Sequence, residues 1–141
     1  MNIGITGGST LIVLGDREEV RGFFDRIFGI DETLSDEAKL VFDRLYRRYL
    51  RPSELAAASR LLSDVASGLP HEAREFHTTF MRSFDKCAES AVLNFEAFRE
   101  SDGYLYEPVR LVVADLPQFS VEKARRLRDY DELVGDPFWM R

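Results

Sequence analysis

The sequence predicts an α+β fold: a small, mainly antiparallel sheet, formed by an N-terminal hairpin and one late strand, covered by about four helices. Three observations predict it. Two short apolar runs at the start are separated by Gly7-Gly8-Ser9, which suits a turn with φ > 0. From Val20 to Phe98 apolar residues recur at helical spacing. After Asp102-Gly103 that period gives way to the β-branched run from Val109 to Ala114.

The hairpin pairs Met1 to Thr6 with Thr10 to Leu14, and Gly15-Asp16 breaks the second run. Asp16 then caps a first helix reaching about Gly29, with Glu19 placed to complete a capping box. Val20, Phe23, Phe24, Ile27 and Phe28 lie on one face of it. Ser35 caps a second helix that runs to about Leu50 through Ala38, Val41, Phe42, Leu45, Tyr46 and Tyr49, with Asp36 and Glu37 at its positive end. Pro52 interrupts, and Ser53-Glu54-Leu55 opens a third helix that closes at Gly68 and Pro70. From His71 to Phe98 the period persists, giving one long helix or two with a bend.

The strand from Val109 to Ala114 pairs with the hairpin, and Pro108, lacking an N–H, marks its start or a bulge. Ser120 caps a short helix through Val121, Ala124 and Leu127, before a tail rich in turn residues that ends in Phe138 and Trp139. No repeat, low-complexity tract or linker divides the 141 residues, so one domain is expected.

Composition narrows the function classes. With 25 acidic and 19 basic residues the formal net charge is −6, which gives no broad positive field for a polyanion. The 45% hydrophobic content supports a core. The lone Cys87 forms no internal disulfide, and no secretion signal or apolar membrane span is recognisable, so a cytoplasmic protein is expected.

No catalytic set stands out. Gly4-Ile5-Thr6-Gly7-Gly8-Ser9-Thr10 lacks the lysine and following helix of a phosphate-binding loop and reads as the hairpin turn. His71 and His77 are six apart, about 600° around a helix, so they do not form a zinc pair; His71 and Glu75 share a face but make only a two-ligand set. Cys87 among Phe84, Ala88 and Ala91 reads as a small core residue. There is no GxSxG elbow. No metal or cofactor is expected.

Basic residues cluster twice. Lys123, Arg125, Arg126 and Arg128 are balanced by Glu122, Asp129, Asp131 and Glu132. Arg44, Arg47, Arg48 and Arg51 share one helix stripe and make nucleic-acid binding a minor hypothesis. Acids concentrate without bases at Asp31, Glu32, Asp36 and Glu37, and again at Asp129, Asp131, Glu132 and Asp136, the second set interleaved with Tyr130, Phe138 and Trp139. Such surfaces steer cationic partners, and the null explanation is solubility and helix N-terminal charge. The tail aromatics serve equally well to pin the chain end to the core.

The ending from Arg128 to Arg141, with the strand-like Val109 to Asp115 before it, resembles bacterial immunity proteins of contact-dependent growth inhibition and related polymorphic toxin systems. The resemblance implies a non-enzymatic protein that binds one cognate toxin with a basic cleft, such as a nuclease, and occludes it. The contacts expected are Asp131, Glu132, Asp136 and Trp139, with Asp31, Glu32, Asp36 and Glu37 as a second patch. The alternative is a small enzyme or ligand-binding protein with a pocket between the sheet and the Phe-rich helix, where Tyr104, Tyr106 and His77 supply polar groups.

Overall fold

A computed structural model describes residues 2–29, 35–47, 49–98 and 109–114. Strands β1 (Asn2–Gly7) and β2 (Thr10–Asp16) form the hairpin, followed by helices α1 (Arg17–Phe28), α2 (Asp36–Arg47), α3 (Leu55–Asp64) and α4 (His71–Phe98), then strand β3 (Arg110–Val113). The sheet order is β2-β1-β3 and both pairings are antiparallel. The α+β architecture with one late strand beside the hairpin is therefore present.

Gly8 sits at φ 57, the conformation a tight hairpin turn requires, and the Thr6 hydroxyl donates to the Thr10 carbonyl at 2.9 Å to close the turn. The second strand does not stop at Leu14. Gly4 pairs with Val13 and Ile3 with Gly15, so Leu14 is an extra residue, and the bulge carries the pairing on to Asn2 and Asp16. Asp16 then accepts the Glu19 amide at 2.9 Å while Glu19 accepts the Asp16 amide at 3.3 Å, the reciprocal capping box that starts α1.

Helix α2 opens with the Ser35 hydroxyl accepting the Ala38 amide at 3.1 Å, as the sequence suggests, but it ends at Arg47 and not near Leu50. The cause is tertiary. Leu50 leaves the helix to exchange both backbone hydrogen bonds with Val109, at 2.8 and 2.9 Å, which satisfies its amide and carbonyl against the incoming strand. The third helical segment is α3 bracketed by two 3-10 turns, Pro52–Glu54 and Val65–Gly68, with proline in the first turn where its missing amide costs nothing. Of the two arrangements open for the fourth segment, the single one holds: α4 is one helix of 28 residues.

The core is aromatic and lies between the helices and one face of the sheet. Phe24 stacks on Tyr46 at 4.7 Å and meets Phe80 edge-on at 6.0 Å, tying α1 to α2 and α4. Ile3, Ile5 and Leu111 face this core. Thr6 and its cross-strand partner Arg110 are buried as well, as is Val112, so β1 and β3 are covered on both faces. Alternation along the strand gives no hint that Arg110 is wholly buried.

Candidate functional site

Of the eight expected contact residues, Asp36 and Glu37 are described, both exposed in the first turn of α2. Asp31, Glu32, Asp131, Glu132, Asp136 and Trp139 lie outside the described residues, as do Tyr104, Tyr106 and the short helix after Ser120.

A different acidic surface is present. Helix α1, the first half of α4 and Leu14 of β2 line an open cleft of about 510 Å³. Its floor is Phe23, Phe76, Ala73 and Leu14, and its rim carries Glu18, Glu19, Glu72 and Glu75 with Arg26 as the cation among the lining residues. The floor is rigid because Phe23 is buried against Phe76, Phe80 and Phe24, with ring centroids 4.8, 5.3 and 5.6 Å apart. Each acid pair occupies the first turns of its own helix, where the macrodipole favours negative charge. Glu19 is held by the capping box, while Glu18, Glu72 and Glu75 are exposed and enter no ion pair among the described residues.

The remaining candidates resolve into structure. His77 is buried in α4, and its Nε2 lies 2.8 Å from the Leu62 carbonyl of α3, so it ties two helices together and does not line the cleft. Cys87 is buried, its thiol donates to the Ile5 carbonyl at 3.5 Å, and burial pushes its pKa up to about 12, which leaves no thiolate for nucleophilic chemistry near neutral pH. His71 and Glu75 are exposed, and among the described residues no group of three or more His, Cys, Asp or Glu is placed to hold a metal. Nor is any described helix long and apolar enough to cross a membrane.

Two of the four stripe arginines, Arg44 and Arg47, are ion-paired, and Arg48 lies outside the described residues. Arg44 is paired with Glu54, and Arg47 with Asp43 at 2.6 Å, while the other oxygen of Glu54 accepts the Arg51 amide at 3.0 Å. These contacts reduce the free positive charge available to phosphates. The glycine-rich turn offers its amide elsewhere too: Ser9 donates to the Ser90 hydroxyl at 3.0 Å, docking the hairpin on α4.

Comparison with protein-family models, curated proteins and solved structures finds no match to this chain. The site must therefore be read from its own geometry. The cleft was not singled out in the sequence, where Glu19 reads only as the capping-box partner of Asp16 and Glu75 only as sharing a helix face with His71. Their convergence from two helices is a tertiary fact.

Proposed function

We propose that this is a non-enzymatic binding protein that neutralises a partner protein through an acidic surface, in the manner of an immunity protein directed against a cognate bacterial toxin. The observation that carries the reading is the cleft between α1 and α4, where three exposed carboxylates with no ion pair among the described residues stand around an apolar floor. Carboxylates in that setting attract a basic surface and accelerate its encounter, and the apolar floor supplies area to bury once contact is made. Asp36 and Glu37 extend the exposed acidic surface, and the tail residues Asp131, Glu132, Asp136 and Trp139 are proposed as further contacts.

The test is co-expression with the product of the adjacent gene. Protection of cells from that product, with a one-to-one complex whose affinity falls as salt rises, supports the reading. Absence of both protection and complex overturns it, and charge reversal at all the acidic contacts that leaves affinity and salt dependence unchanged removes the acidic surface from it.

A second reading, a small-ligand protein, draws on the volume of the cleft, which lies within the range of about 300–1,000 Å³ typical of ligand pockets. It predicts a rise in melting temperature with a small ligand alone.

A further inference from the structure

We infer that the cleft between α1 and α4 receives a cationic amphipathic segment of a partner protein, with one apolar side chain entering against Phe76 and Leu14 and flanking Lys or Arg side chains meeting Glu18, Glu72 and Glu75. This deepens the binding reading above and rests on it for the nature of the partner.

Two independent features point there. The first is charge set around an apolar base. The carboxylates stand at the rim, and half-buried Phe76, backed by buried Phe23 at 4.8 Å, forms the base with Leu14. An anionic segment is repelled by this rim, and a wholly apolar one strips water from the carboxylates with no cation in return. A small polyamine satisfies the charges but leaves the exposed parts of Phe76 and Leu14 in water. A segment with both characters satisfies both.

The second feature is Gly22, in the interior of α1 and in the cleft wall. Its φ is not positive, and beyond its two chain neighbours and the backbone of its own helix a Cβ built on it meets no atom within 4 Å. Neither the backbone nor the packing of the fold therefore requires glycine there. By contrast, a Cβ on Gly7 meets the Cys87 carbonyl oxygen at 2.5 Å. A helix-interior glycine that the fold does not need weakens its helix, and here its consequence is to leave the wall open beside Phe23. The space belongs to the ligand's side chain.

The experiment uses the full chain and a short helical peptide of Lys, Leu and Trp, with three comparison probes: the same peptide with Glu for Lys, the same peptide with Ala for Leu and Trp, and spermine. Binding is read by fluorescence anisotropy, and the site by amide chemical shifts. The expected result is binding of the Lys/Leu/Trp peptide alone, shifts centred on Gly22, Ala73 and Thr79, and weakening by about tenfold or more in both Gly22→Leu and the double variant Glu72→Lys/Glu75→Lys. Glu96→Lys, exposed near the far end of α4 and outside the cleft, leaves it unchanged. The wild-type shift map stands whether or not the variants fold.

Shifts elsewhere, equal binding of spermine, or unchanged affinity in folded Gly22→Leu overturns the inference. Peptide binding in the cleft by a chain that gives no protection against the adjacent gene's product removes the toxin reading and keeps the site. Protection that survives Gly22→Leu and Glu72→Lys/Glu75→Lys removes the site and keeps the reading.

Discussion

Gly7 of the first strand lies so close to Cys87 of α4 that a Cβ added to the glycine meets the cysteine's carbonyl oxygen at 2.5 Å. The hairpin is thus seated on the backbone of the long helix, and Gly8, at φ 57, is seated equally closely against Ser90. Because helix backbone cannot give way as a flexible side chain can, Gly7→Ala must push strand and helix apart. It is expected to destabilise the protein by about 1–3 kcal/mol through overpacking. Gly8→Ala adds the left-handed backbone cost of about 1–2 kcal/mol. Urea denaturation of the two variants checks both, and wild-type stability in either would show that the hairpin does not sit on α4.

Cys87 gives a prediction in pH. Its thiol is buried and its pKa stands at about 12 against an ordinary 9.0. Between those values the unfolded chain releases the proton and the folded chain keeps it. The thiol's contribution is therefore fully present below about pH 9 and is lost as pH rises towards 12. Wild-type stability should fall more steeply over that window than that of Cys87→Ala, measured by denaturant titration at each pH. At pH 8 a thiol reagent should label the native protein only at the rate of its opening, and fast labelling would show an accessible thiol.

How far the sequence discloses this molecule depends on whether a feature is local. Asp16 with Glu19 predicts the capping box, Ser35 the start of α2, and the period from His71 to Phe98 helical structure, left open between one helix and two, because each is settled within a few turns of chain. The end of α2 is not local. Leu50 fits the helical stripe, and only Val109, far along the chain, draws it out into a bridge. Arg110 fails for the same reason, since a charged residue in a strand reads as exposed until both faces of the sheet are covered. The acidic clusters legible in the sequence, Asp31 to Glu37 and Asp129 to Asp136, are not those of the cleft, which needs α1 beside α4, and no periodicity in either helix specifies the other.

His77 is the polar member of an aromatic core, its ring centroid 6.2 Å from that of Phe23 and its Nε2 at 2.8 Å from the Leu62 carbonyl. Removing the ring creates a cavity and orphans a buried acceptor near the end of α3. His77→Ala is expected to cost about 2–4 kcal/mol, combining both effects. His77→Phe fills the space and loses only the hydrogen bond, so about 1–3 kcal/mol is expected from it. The comparison is made by thermal and urea unfolding. Equal stability of wild type and His77→Phe would leave the hydrogen bond without a structural role.

Gly22 makes the opposite prediction to Gly7. It lies in the interior of α1, its φ is not positive, and a Cβ there meets nothing within 4 Å beyond its chain neighbours and its own helix backbone, so alanine brings helix propensity without a clash. Gly22→Ala should raise stability by about 0.5–1 kcal/mol, read as a higher urea midpoint with an unchanged slope. A loss of stability would mean that the space beside Phe23 is already filled in the folded protein, and a cleft filled by the chain itself has no room for a partner. A gain leaves a glycine whose absence from the fold's own requirements is measured, and whose side-chain space opens into a rim of carboxylates.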